Sequence, residues 1–526
     1  MTLRSPFKHK PINMTRFLSL LFFFPFFLYG DERSHNADFD PLHYQVNKSS
    51  VTEGRVTINH KRINYEATAG VLELNKADPA EPTIDMFYVA YFKKRESTHV
   101  KRAITFIFNG GPGSASLWLH MGAVGPKRIL APQPGTAQLA PYTLTDNQYS
   151  LLNVSDLVFI DAPGTGYSRF SSQAIDQRER DEQRTRSANS VYGVNGDAQA
   201  FSQFIVQFLT HYQRWNSPKY LFGESYGTTR AVLLAQELKH NNVDINGIIL
   251  MSQFLNYDNN IDDPELNPGI DQPYILSLPT YAASAWYHNQ LPGKHPELKT
   301  FLNEAEQFAQ GPYAQALLLG ANLPEKQRQS VANQLYHFTG ISADFWIRAN
   351  LRIKGPVFAG KLLSDKNETI GRLDSRYRGS SLDNMGASAD YDPNVSALTS
   401  PYLASFHDYL ATTLNYRADH NYQVFTDAIQ HWNMSGNSRD RAFNVLPNLA
   451  RIMKLTPSMK VMVIGGIYDM ATPYFTAKYD MSHLPISNNL RKNITFSWYE
   501  TGHMPYIDES ALKKMHTDLS EFISQK

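Results

Sequence analysis

The sequence predicts an α/β protein: a mostly parallel central sheet covered by helices on both faces, interrupted late in the chain by a large insertion. Three observations carry this. Compact apolar runs of strand length (103–108, 156–160, 220–222, 247–251, 460–464 and 494–499) recur along the chain. Segments of helical spacing separate them, most clearly Ala198, Phe201, Phe204, Ile205, Phe208, Leu209 and Tyr212. The alternation stops after Ser252 and resumes at Phe443, and the intervening chain is rich in Pro, Tyr, Asn and Asp.

The first residues read as an export signal over 1–30. Arg4, Lys8, Lys10 and Arg16 precede an apolar block, 17–29, that contains Pro25 and is shorter than the ~20 residues of a membrane span. A protein released to the periplasm or the medium is expected; an uncleaved anchor is the alternative. The 526-residue chain has no cysteine, so neither disulfides nor a lipid-modified cysteine can form. Its net charge of +1 gives no reason to expect nucleic acid or a stable membrane partner. The mixed charges of 176–186 read as a solvated loop or helix end.

From Tyr44 to Lys94 polar and apolar residues alternate, over 51–58, 63–67 and 84–91, as in antiparallel strands leading into the sheet. The first part of the core is assigned to 31–252 and the insertion, read as a lid, to 253–441. The second part of the core, 442–526, holds a helix over 443–453, two strands and a C-terminal helix over 509–523. Within the insertion, helical patches are expected near 281–288 and 298–319.

The organising stretch is 220–230, in which Gly223-Glu-Ser-Tyr-Gly227 separates a short strand from an apolar helix. A serine on so sharp a turn is held in a strained conformation with its hydroxyl above the sheet edge. The flanking glycines let strand and helix pass closely. Ser225 is therefore the candidate nucleophile. A serine hydroxyl needs a base, and the base an orienting carboxylate. Both stand just beyond late strands: Asp469 after 461–468, and His503 in a Gly-His turn after 496–499. The structural alternatives are a helix cap for Asp469 and a turn histidine for His503. An oxyanion hole needs two backbone N–H groups aimed at one point. One comes from Tyr226, and the glycine loop after 103–108 can supply the other or serve only as a tight turn. Metal-ligand spacing is absent, and 110–113 lacks the lysine of a phosphate loop, so no metal or cofactor is expected.

Asn109-Gly-Gly-Pro-Gly-Ser-Ala-Ser116, Asp161-Ala-Pro-Gly-Thr-Gly-Tyr-Ser168, Gly223-Glu-Ser-Tyr-Gly227, Asp469 and Gly502-His-Met504 together resemble the serine carboxypeptidase family. The resemblance implies an α/β-hydrolase fold and removal of single residues from the C-termini of peptide substrates. It implies Ser225, Asp469 and His503 as triad, Gly111 and Tyr226 as oxyanion donors, and Asn109, Gly110 and Glu224 as the holders of the substrate carboxylate. Three positions depart from the family pattern: Ile107 where a tryptophan is usual, Ser114 for a cysteine, and Ala123 for a second glutamate of the carboxylate site. With Ala123 there, only burial keeps Glu224 neutral, and a looser preference for a free C-terminus is expected. His120 is either a cation for that carboxylate or a packed helix histidine. The other functional readings are a serine esterase or acyltransferase of the same fold, and an inactive hydrolase-like binding protein. A lid tyrosine, Tyr281, is expected to affect substrate preference.

Overall fold

The computed structural model describes residues 49–74, 83–94, 101–136, 138–172, 174, 176–293, 296–435 and 443–525. The export signal read over 1–30 and the insertion boundary at 441 lie outside these residues.

One twisted sheet organises the molecule. Its strands are β1 (Ser49–Ile58), β2 (Lys61–Leu74), β3 (Thr83–Lys93), β4 (Ala103–Phe108), β5 (Ser155–Ile160), β6 (Arg169–Ser171), β7 (Lys219–Glu224), β8 (Gly247–Met251), β9 (Lys460–Gly466) and β10 (Ile494–Tyr499). They lie in the order β1-β2-β3-β5-β4-β7-β8-β9-β10, with β6 paired to β3. Every pair from β5 across to β10 is parallel, and β1, β2, β3 and β5 pair antiparallel in turn. Strands β5, β7 and β8 are buried throughout, as expected where helices cover both faces. β1, at the edge, instead alternates exposed and part-buried positions over most of its length.

Alternate residues of the central strands feed two cores. Ile107, Phe222, Ile249, Met251 and Met462 face one layer, which includes the C-terminal helix Glu509–Ser524. Phe106, Phe108, Leu221, Ile248 and Val463 face the other, under the helices Val194–His211, Tyr226–His240 and Leu446–Leu455. The charged run begins with Asp176 capping an exposed helix, Gln177–Val191.

The chain between β8 and β9 is more than a flap. Helices Gln272–Tyr287, Leu298–Phe308, Glu325–Thr339 and Gly355–Lys361 enclose a core of their own around Phe301, Trp346 and Phe358. Burying each such side chain is worth ~1.5–3 kcal/mol, so this layer is held by packing rather than tethered loosely. Tyr281 belongs to that core: it is 1% exposed, stacks on Phe358 at 3.9 Å, and its hydroxyl donates to the Ile353 carbonyl at 3.2 Å. The expectation that it tunes substrate preference is therefore corrected; its role is packing. A further helix, Pro393–Thr412, not read from the sequence, returns to the sheet and buries Leu398, Tyr402, Phe406 and Tyr409 in the first core.

Candidate active site

Ser225 sits between β7 and the helix Tyr226–His240 with φ 59° and ψ −128°, a conformation most residues adopt only under strain. Its N–H is tied to the Met251 carbonyl at 2.9 Å, and its carbonyl accepts from the Thr228 N–H at 2.8 Å. The tight turn explains the glycines. A side chain at Gly223 would collide with the Gly227 carbonyl oxygen. From Lys219 to Ala235 Ser225 alone is not buried. The turn thus presents the serine and hides its neighbours.

The glycine loop after β4 lies directly against this turn. A methyl group placed on Gly110 would stand 2.5 Å from the Tyr226 nitrogen and 2.7 Å from both the Glu224 carbonyl oxygen and the Gly227 nitrogen. Only a residue without Cβ permits this backbone-to-backbone approach. Gly111 follows at φ 101° and is the one residue of 104–126 that is not buried. Asp161 anchors the loop from below, accepting from the Ser116 N–H at 2.8 Å and the Tyr422 hydroxyl at 3.0 Å. Ser114 turns back to bond the Gly110 carbonyl, and Ile107 is fully buried in β4.

Asp469 and His503 meet beyond the ends of β9 and β10. His503 Nδ1 lies 2.8 Å from Asp469 Oδ2. That oxygen also accepts from the Thr472 hydroxyl at 2.6 Å, while Oδ1 accepts the Ala471 and Thr472 N–H groups, each at 2.9 Å. The carboxylate therefore both caps the following turn and orients the imidazole: Nδ1–H donates to it, which leaves Nε2 with a lone pair. The His503 carbonyl accepts from the Ser252 hydroxyl at 2.6 Å. Ser252 directly follows Met251, whose carbonyl holds Ser225, so the end of β8 ties histidine and serine to one point. Burial alone would lower the His503 proton affinity, but Asp469 and then Glu224 outweigh it, and its pKa is raised above 6.5.

Glu224 precedes the serine and is 3% exposed. Its carboxyl accepts from Asn109 Nδ2 at 2.7 Å and from the Tyr506 hydroxyl at 2.9 Å. Asn109 Oδ1 in turn accepts the Leu119 N–H at 3.0 Å, fixing the amide. Burial pushes the Glu224 carboxyl up to about 7, against the pull of His503, Tyr506 and Asn109. Ala123 is fully buried, and its neighbour Gly122 lies against the Tyr402 hydroxyl and the Tyr506 ring. His120 is the packed histidine of the two alternatives. It stacks on Phe159 at 4.1 Å, bonds the Tyr91 hydroxyl at 2.6 Å, and burial lowers its pKa to about 3. It carries no charge to Glu224.

Three residues of this region escaped the sequence reading. Tyr506, three positions after His503, had no pattern to single it out. Arg230 and Asp197 form a fully buried ion pair at 2.7 Å behind the serine turn. Arg230 also donates to the Asn109 carbonyl at 2.5 Å, and the Tyr226 hydroxyl to Asp197 at 3.2 Å. An arginine directly before the apolar run 231–235 was the available signal for this pair. Among the described residues no group of histidine and carboxylate side chains is arranged to hold a metal.

Comparison with known proteins bears on the family and the fold. Residues 59–504 match the family model described as serine carboxypeptidase. Among curated proteins, the Arabidopsis thaliana "Serine carboxypeptidase-like 36" is 26% identical over 37% of this chain and 36% of its own length. "Carboxypeptidase Y homolog A" of Paracoccidioides brasiliensis is 25% identical over 36% of this chain and 32% of that protein. The alignments thus span less than half of the curated relatives. The solved structure of Kex1(Δ)p, a prohormone-processing carboxypeptidase from Saccharomyces cerevisiae, superposes with a TM-score of 0.53 at 15% identity, covering 87% of this chain and 91% of that one. The fold is that of the α/β-hydrolases, and with the family model spanning most of its length, the chain belongs to the serine carboxypeptidase family.

Proposed function

We propose that this protein is a serine carboxypeptidase that releases C-terminal residues from peptides through an acyl-enzyme on Ser225. Ser225 Oγ attacks the carbonyl carbon of the last peptide bond while His503 Nε2 takes its proton. Asp469 holds the Nδ1–H tautomer and stabilises the imidazolium. The negative charge that develops on the carbonyl oxygen is met by the N–H groups of Gly111 and Tyr226, at the positive end of the helix that Tyr226 opens. His503 then protonates the departing amine, and water, deprotonated by the same nitrogen, releases the acyl group. Asn109, Gly110 and protonated Glu224 hold the terminal carboxylate of the substrate.

The observation that supports this reading best is the contact between the glycine loop and the serine turn. It sets Gly110 against Tyr226, beside a buried carboxyl whose pKa is raised to about 7. A second reading, a serine esterase or acyltransferase with a relaxed need for a free carboxylate, draws on the partners of Glu224. Its hydrogen-bond partners are a phenol and an amide, neither of which adds a second acid to hold the proton. Export to the periplasm or medium remains part of the proposal, and among the described residues no helix is long and apolar enough to cross a membrane. The test is hydrolysis of an N-blocked dipeptide and of its C-terminal amide near pH 6. The carboxypeptidase reading expects the free acid to be preferred. Equal rates favour the second reading, and no hydrolysis of either contradicts both.

A further inference from the structure

The inserted chain reaches the acid and the histidine with its backbone. Over Gly371–Tyr377 it makes a tight turn, closed by the Tyr377 N–H to the Asp374 carbonyl at 3.0 Å and the Gly371 N–H to the Tyr377 carbonyl at 2.9 Å. One edge of this turn bonds the segment that carries Asp469. The Met470 N–H donates to the Arg372 carbonyl at 3.1 Å, and the Ser375 N–H to the Tyr468 carbonyl at 3.0 Å. The other edge bonds the segment that carries His503. The His503 N–H donates to the Leu373 carbonyl at 2.6 Å, and the Gly502 N–H to Asp374 Oδ2 at 3.1 Å. The contact is so close that a methyl group on Gly502 would run into Leu373 and Asp374. Glycine precedes the histidine because the insertion occupies the space a side chain would need.

Three ion pairs involve the turn, and one of them, Arg376 with Asp508 at 3.7 Å, reaches the chain beyond His503. Asp374 is paired with Arg376 at 2.7 Å, their side chains 1% and 7% exposed, and Arg376 Nη1 donates to the Glu500 carbonyl at 2.9 Å. Arg372 is paired with Asp262 at 2.6 Å, near the start of the insertion. Asp392, at the head of the helix Pro393–Thr412, accepts the Leu373 N–H at 2.9 Å. The turn is therefore clasped to the start of the insertion, to the head of the helix Pro393–Thr412 and to both catalytic segments.

We propose that Gly371–Tyr377 is a fixed strap through which the insertion sets the geometry of the Asp469–His503 pair, with Asp374 and Arg376 as its positioning residues. It rests on the catalytic reading of that pair but not on the substrate being a peptide. Besides the His503–Asp469 contact itself, the loops after β9 and β10 have few backbone bonds to one another beyond the strand ends: Ile467 N–H to the Tyr499 carbonyl and Tyr468 N–H to the Thr501 carbonyl. The strap adds two backbone bonds, on the residues either side of Asp469, and a third on His503 itself. A shift of about 1 Å between acid and base is enough to lose orders of magnitude in rate. An insertion that opened as a rigid lid would break these bonds and disable the pair.

The test uses the full-length protein and a serine-directed phosphonate, whose reaction with Ser225 needs the activated serine but no particular peptide. Asp374→Asn keeps the side chain's size and removes the nearer of the two carboxylates paired with Arg376. We expect its inactivation rate to fall about tenfold or more. The acid limb of its kcat/KM profile on a small ester should move to lower pH, because a loosened Asp469 supports the His503 proton less. Asp271→Asn, which breaks an ion pair with Arg352 inside the same insertion, should leave the inactivation rate unchanged. Unchanged labelling and an unmoved acid limb in folded Asp374→Asn overturn the strap. Should that variant fail to fold, hydrogen exchange of the native protein decides: the amides of Met470, Gly502 and His503 are expected to be protected like those of β9, and exchange at the rate of open loops overturns the proposal. A native protein that is not labelled refutes the catalytic reading, while the exchange measurement still decides whether the strap is fixed.

Discussion

Replacing Glu224 by Gln separates the two consequences of burying this carboxyl. In the folded protein its pKa is raised from 4.5 to about 7, chiefly by burial. Below pH 4.5 it is protonated in both folded and unfolded chains and contributes no pH dependence. Between 4.5 and 7 the unfolded chain gives up the proton first, so stability falls as pH rises. Above 7 the loss is complete, at about 3 kcal/mol from ~1.4 kcal/mol per pH unit of displacement. Gln has nearly the same shape and no charge. Urea unfolding of Glu224→Gln should therefore match the native protein near pH 4 and exceed its stability by up to about 3 kcal/mol near pH 8. The same titration acts on substrate. Once ionised, Glu224 repels a terminal carboxylate, so the free-acid to amide ratio of kcat/KM should fall roughly tenfold per pH unit above 7. In Glu224→Gln that alkaline fall should vanish. A stability difference that is the same at pH 4 and pH 8 would refute the reasoning, as would a ratio that stays flat in the native enzyme.

The remaining predictions concern the nucleophile, its base and the packing around them. Ser225→Ala and His503→Ala should each lower turnover ~10⁴ to 10⁶-fold with the fold intact by circular dichroism, because the residues act as a unit. Asp469→Asn should cost roughly 10⁴-fold in kcat: its amide nitrogen must face either His503 Nδ1 or the N–H groups of Ala471 and Thr472, where only acceptors are wanted. Arg230→Met should destabilise by about 3–5 kcal/mol in urea titration, since it leaves Asp197 buried without its counter-charge. Tyr281→Ala should cost about 3–5 kcal/mol as a core truncation and leave the order of preferred substrates unchanged; an altered order with unaltered stability would restore it to the substrate site.

The sequence was most informative where local chemistry and position coincide. β4 and β8 occupy 103–108 and 247–251 as read, because an apolar run bounded by polar turns has few alternatives. Ser225, Asp469 and His503 each stand just past a strand, and parallel strands bring their ends together whatever lies between them in the chain. The insertion was less legible. Its helices pack against one another and against the sheet, so their apolar positions are set by partners far away, as with Tyr281 on Phe358 or Tyr402 in the core beneath the helix Pro393–Thr412. His120 could be read as a cation or as a packed ring until Phe159 and Tyr91 were seen on either side. Tyr506 and the strap were invisible for a different reason. The phenol is recognised only by reaching Glu224, and most of the strap's bonds to the catalytic segments are made by backbone atoms that every sequence has.

The central claim, stepwise removal of C-terminal residues by Ser225, is tested most directly by mass spectrometry of one peptide of mixed sequence. It is incubated at pH 6 with the native protein and with Ser225→Ala, and its C-terminally amidated twin is treated in parallel. The account predicts a ladder of masses, each shorter by one residue from the C-terminus, with the native protein. The amidated twin should be trimmed more slowly, and Ser225→Ala should produce no ladder. Internal cleavage, trimming from the N-terminus, or a ladder that persists in Ser225→Ala would contradict it.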